Sequence, residues 1–131
     1  MNWTLSSLTG AIHQWGRERG IHQNGNLASQ AEKLMEEAQE TLAAAPRLVA
    51  AEKALDHLDD PNTEPGNEVL DEYSAAHKEF ADGIGDTYVV LVQLCAIAGV
   101  TLEECVEAAY EEIRDRKGYL NEHGVFVKES K

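Results

Sequence analysis

Six carboxylates in two short runs are the residues of this sequence best placed to do chemistry: Glu36, Glu37 and Glu40, then Glu79, Asp82 and Asp86. Each residue of a helix advances by about 100 degrees. On that wheel Gln30, Lys33, Glu37 and Glu40 form one stripe beside the apolar face, with Glu36 just beyond Glu40. Glu79, Asp82 and Asp86 form another, which continues through Val89 or Val90, Gln93 and Ile97. A Glu-rich helix face is most often simply solvated. The second run differs because residues 88–98 are apolar almost all round, the mark of a buried helix. Acids leading into such a helix are costly unless a cation compensates them. Three acids on one face also raise at least one carboxyl pKa unless a metal is bound. Two helices turning carboxylates inward make a hard-oxygen site suited to Mg²⁺ or Mn²⁺. His13, His22, His57, His77 and His123 share neither stripe, so zinc is not expected.

The elements that must position these acids are helical, and the expected fold class is all-α, an antiparallel bundle of about five helices. The first helix covers residues 5–19, with Leu8, Ile12 and Trp15 at helical spacing, and a Gly/Asn loop follows over 20–26. The second covers 27–45, with an apolar stripe of Leu27, Ala31, Leu34, Met35, Ala38, Leu42 and Ala45. Pro46 is expected to start a third helix reaching 58, and the Pro- and Gly-containing run 59–67 reads as a loop. A fourth helix spans 69–98, with Gly83 and Gly85 as bend points, and a fifth runs from the N-cap Thr101 to 117. The tail, 118–131, contains Val125-Phe126-Val127 and reads as an extended segment that docks.

The 131 residues, 43% of them apolar, suit a single domain. A net charge of -13, from 24 acidic against 11 basic residues, disfavours binding to nucleic acid. Acidic excess fits a cation-neutralised site, a surface that imitates nucleic acid, or plain solubility. No run of about 18 apolar residues is evident and no membrane span is expected. Without a visible leader, the expected location is the cytoplasm, or the host cytoplasm for a phage-encoded chain. Cys95 and Cys105 lie in apolar helical patterns and read as buried thiols of a reducing compartment.

Around these residues the sequence resembles the MazG-like, all-alpha NTP pyrophosphohydrolases. That family carries Glu-Glu-x-x-Glu on one helix and Glu-x-x-Asp on a later one. Glu36-Glu37-Ala38-Gln39-Glu40, preceded by Lys33-Leu34, is the match to the first. The second falls within the run from Glu79 to Leu91, in either of two registers. Glu79-x-x-Asp82 fits literally, whereas Asp86 better precedes the apolar run and then leaves Gly83 in the glutamate position, with Asp82 as substitute. The resemblance extends from about residue 15 to 117, with 46–67 as an inserted helix and loop. Arg114-Asp115-Arg116-Lys117-Gly118 and Gly124-Val125-Phe126-Val127-Lys128 resemble phage-type members.

The resemblance implies Mg²⁺-dependent hydrolysis (Mn²⁺ being an alternative) of ribo- or deoxyribonucleoside triphosphates to the monophosphate and pyrophosphate, in a homodimer or homotetramer. The implied metal ligands are Glu37, Glu40, Asp82 and Asp86, with Glu79 in the site or behind it. Glu36 or Glu37 would accept the water proton. Lys33, Arg114, Arg116 and Lys117 are the candidate phosphate contacts, with Gln30 beside Lys33; Arg114, Arg116 and Lys117 equally suit a helix C-terminus. Trp15 would border a base pocket, and Asn24 and Asn26 would read a base edge or make the turn. The rival from another class is a non-catalytic acidic helical protein that imitates DNA or serves as an interaction module.

Overall fold

The computed structural model describes residues 2–129. The chain is an all-α bundle with one small hairpin: α1 (Leu5–Glu18), α2 (Ile21–Asn24), α3 (Leu27–Asp56), α4 (Glu64–Ala98), α5 (Leu102–Ile113), β1 (Gly118–Leu120) and β2 (Phe126–Lys128). Antiparallel α3 and α4 form the frame, and α1, α2 and α5 each pack on α4. The helix starts are written locally. Thr4, Asn26 and Thr101 are N-caps whose side chains accept from the backbone N–H three residues on, and Ser7, Ser29 and Glu104 close capping boxes.

Pro46 does not begin a separate helix. It sits inside one 30-residue helix, α3. Proline removes the hydrogen bond to the carbonyl four residues back, that of Leu42. Both Pro46 and Leu42 are exposed, so the missing bond falls on the solvent side of α3, and the helix continues. The expected loop over 59–67 shortens to 57–63, because Thr63 caps Gly66 N–H and the following proline lies in the first turn of α4, where its missing N–H costs nothing. The region 46–67 therefore lengthens both arms of one hairpin. Helix α4 runs unbroken through Gly83 and Gly85.

Three further expectations change. Residues 20–26 contain the short helix α2, entered through Gly20 at φ 74. Helix α5 ends at Ile113 rather than 117, and the tail folds on itself, Tyr119 opposite Val127. That hairpin packs on no helix among the described residues. Cys105 is exposed, and only Cys95 is partly covered. Burial pushes the Cys95 thiol up, and the nearby Cys105 adds to the shift.

The inward face of α3 is Gln30, Leu34, Glu37, Thr41, Ala44, Ala45, Leu48, Ala51 and Leu55, the residues its burial pattern singles out. The apolar stripe read from the sequence is rotated from it, and Met35 and Leu42 are 59% and 73% exposed. Alanines 44, 51 and 76 with Val90 and Val92 make the core, small residues that let α3 and α4 approach closely. At Gly83 a Cβ would stand 2.5 Å from Thr41 Oγ1 and 3.3 Å from Thr41 Cβ. Helix α4 is, by length and composition alone, long and apolar enough to cross a membrane, with mean hydropathy 1.4 over its best window. Residues 87–97 of that stretch are all buried or half-buried within the chain, as in the core helix of a bundle.

Candidate active site

Two grooves open along the α3–α4 seam, and Asp86 lines both. The first, about 450 Å³, is bordered by Glu40, Ala43, Ala75, Lys78, Glu79, Asp82, Gly83 and Asp86. The second, about 470 Å³, is bordered by Trp15, Ile21, Ser29, Gln30, Lys33, Glu37, Asp86, Val89, Val90 and Gln93. The fold thus gathers Glu37, Glu40, Asp86, Lys33, Gln30 and Trp15 around one stretch of the helix pair, with Asp82 and Glu79 along the first groove.

The desolvated acid is on α3, not on the α4 stripe that the sequence singled out. Glu37 is 7% exposed and is the one buried acid among the described residues. Its Oε1 lies 3.4 Å from Lys33 Nζ, and its Oε2 is buried without a hydrogen-bond partner. An unpaired buried carboxylate oxygen is the costly kind of polar atom. One turn on, the Glu40 carboxyl is pushed above its ordinary value, chiefly by the charge of Glu37 and then by desolvation. Lys33 also bonds Glu36 at 3.2 Å, and these two acids, Glu36 first, hold its ammonium pKa up.

The α4 acids are solvated. Asp82 is paired with Lys78 at 2.8 Å, which raises the lysine pKa. Arg47 holds Glu72 in a two-pronged pair at 2.7 and 3.0 Å and also bonds Glu79. It keeps the Glu72 carboxyl below the usual range. Glu79 is thereby tied across to α3. In the register that makes Asp86 the motif aspartate, the glutamate position is Gly83, and Thr41 fills the space a side chain there would need.

Arg114 and Arg116 lie just after α5, paired with Glu111, Asp115 and Glu112, and neither they nor Lys117 border either groove. Asn26 is the cap of α3, and Asn24 donates to Gly20 O at 3.0 Å, so both make the turn. Trp15 borders the second groove with the Arg19 guanidinium 4.5 Å from its ring centre.

Sequence reasoning missed His22 and Gln93. Gln93, 2% exposed, donates to Ile12 O at 3.4 Å and accepts from His22 Nε2 at 2.7 Å. Its carboxamide fills the space a Cβ on Gly16 would take, so it pins α1 and α2 to α4 beneath the second groove. The signal was present: one carboxamide in the otherwise apolar run from Val89 to Ala98.

No three His, Cys, Asp or Glu side chains among the described residues converge as a ready-made metal cage. Mg²⁺ seldom needs one: it keeps several waters and takes one or two carboxylates plus substrate phosphate oxygens. The orphaned Glu37 oxygen, with Glu40 repelled beside it and Asp86 on the shared wall, fits a cation of that kind. Comparison with protein-family models, curated proteins and solved structures returns no match for this chain.

Proposed function

We propose that the chain is a divalent-cation-dependent nucleotide pyrophosphohydrolase that cleaves nucleoside triphosphates to the monophosphate and pyrophosphate. The observation that carries this reading is the buried, unpartnered Oε2 of Glu37, a residue that borders the second groove. A carboxylate is kept there at a cost only where something positive is meant to meet it.

Glu37, Glu40 and Asp86 would hold Mg²⁺ or Mn²⁺, with Asp82 at the edge. The bound cation would supply charge neutralisation for the triphosphate and a more acidic attacking water. Lys33, half exposed at the rim, would exchange Glu36 for a phosphate oxygen. Trp15, Gln30 and Ile21 would wall the second groove against a nucleoside. In the reaction a water oxygen bonds to the α-phosphorus, the bond to the α–β bridging oxygen breaks, and pyrophosphate leaves. Glu36, exposed and outside the Glu37–Glu40 pair, would take the water proton.

The test is pyrophosphate release from a panel of ribo- and deoxyribonucleoside triphosphates with Mg²⁺ or Mn²⁺, beside Glu37→Gln and Glu40→Ala. Cation-dependent release lost in both variants supports the reading, and no release from any triphosphate by the folded chain refutes it. A second reading, an acidic protein that occupies a basic partner, is favoured by the solvated acids of α4 and the net charge of -13. It requires salt-sensitive binding to a basic protein and no turnover.

A further inference from the structure

His13 and His22 share neither acid stripe, yet the turn between α1 and α2 brings their rings together, 4.7 Å from centre to centre and tilted by 56°. Gln93 decides which nitrogen of His22 is free. The Gln93 amide nitrogen donates to Ile12 O, which only accepts, so its Oε1 is the atom that faces His22, at 2.7 Å. That oxygen also only accepts. Nε2 of His22 therefore carries the proton, and Nδ1 of the neutral ring keeps its lone pair. An oxygen that holds the second ring N–H is the support that metal-bound imidazoles have, and Gln93, 2% exposed, is a fixed one. His13 is exposed on α1, with room to turn a nitrogen toward the neighbouring ring.

We infer that His13 and His22 together bind one divalent transition metal of the imidazole-preferring kind (zinc, copper or nickel), which clamps α1 to α2. Mg²⁺, which takes oxygen ligands, is not expected there. Two imidazoles whose nitrogens each lie about 2.1 Å from one metal, at angles from square to tetrahedral, put their ring centres roughly 4.6–5.3 Å apart. The observed 4.7 Å stands at the square end of that range, the geometry of copper and nickel. Tetrahedral zinc asks the rings to part by only about half an ångström, a small rotation for an exposed His13. Water completes the coordination. Trp15 follows His13 by two residues and Ile21 directly precedes His22, and both border the second groove. The metal thus ties the two elements of that wall into one piece. The site uses no acid of the α3–α4 seam, so it stands whether or not the grooves turn over a nucleotide.

The experiment is calorimetric titration of the full chain, of His13→Ala and of His22→Ala with Zn²⁺, in excess Mg²⁺ so that the acid site is already filled. One zinc per chain is expected in the parent, with affinity falling at least about tenfold in each variant as one of two ligands is lost. His22→Ala also removes the bond to Gln93, so its fold is checked by circular dichroism. His13 is exposed, and His13→Ala decides the matter by itself should the other variant lose structure. A parent that binds no zinc more tightly than about 1 mM, or a smaller loss of affinity in His13→Ala, overturns the inference. Hydrogen exchange over residues 16–25 is expected to slow on adding zinc to the parent and to stay unchanged in His13→Ala. Exchange that does not slow in the zinc-bound parent overturns the clamp.

Discussion

Replacing Glu37 by methionine, similar in length and without polar atoms that need partners, separates the cost of the buried acid from its use. The Oε2 atom is buried and unpartnered, and such an atom costs roughly 1–3 kcal/mol. The half-exposed Lys33 at 3.4 Å offsets only a small part of this, because it is solvent-screened. Without divalent cation, Glu37→Met, which leaves no polar atom there, should therefore stabilise the fold by about 1–2 kcal/mol, raising Tm by about 3–10 °C for a chain of this size. With Mn²⁺ at about one hundred times its Kd, the unaltered chain gains about 2.7 kcal/mol by mass action and the variant gains little. The order of the two melting temperatures then reverses. The assay is thermal unfolding of both chains in EDTA and in saturating Mn²⁺. A variant less stable than the parent in EDTA, or an equal Mn²⁺ shift in both, refutes the argument.

Gly83→Ala should destabilise by about 1–2 kcal/mol in denaturant unfolding, as the overpacking cost exceeds the gain in helix propensity. Adding Thr41→Ala should recover most of that loss by removing the Oγ1 at 2.5 Å. Pro46→Ala should stabilise by about 2 kcal/mol, read as a higher urea midpoint, since it restores the exposed hydrogen bond to Leu42 O and gives back only a little unfolded-state entropy. The Arg47–Glu72 pair should show in the pH dependence of stability. Glu72 is held below its ordinary 4.5, so its contribution is complete above that value and fades as pH falls through the folded pKa. Arg47→Met should accordingly lower the urea midpoint at neutral pH, and the difference should close well below pH 4.5.

Much of the helix layout was legible because its signals are local. Thr101 with Glu104 gives the start of α5, and Leu8, Ile12 and Trp15 lie on α1 as their spacing requires. Pro46 misled because the rule for proline in a helix is about an unsatisfied carbonyl, and the sequence does not say that this one faces water. The acids were legible as a set but not in their burial. Pattern reading placed the costly carboxylate on α4, whereas the α3–α4 crossing buries Glu37 and leaves Asp82 in solvent. The apolar stripe of α3 was read as its core face because hydrophobicity alone does not say which face of a helix packs within the chain. The inward face instead carries Gln30, Glu37 and Thr41 among small residues. The His22–Gln93 bond joins residues 71 positions apart, a pairing that no local periodicity encodes.

The contact between Gly83 and Thr41 lies one turn from Glu37 and one turn from Asp86. There α3 and α4 come so close that one hydrogen atom, in place of a methyl group, sets their separation. A sliding or twisting of the pair would force Thr41 past that notch, so the close contact resists such motion beside the acids. Any adjustment of the second groove to its ligand would then fall to α1 and α2, which rest on α4 through the Gln93 carboxamide. The rigid wall belongs to the charges and the movable wall to Trp15 and Ile21. Ligand size would thus be accommodated at the second groove, while the spacing of the acids stays constant from one ligand to the next.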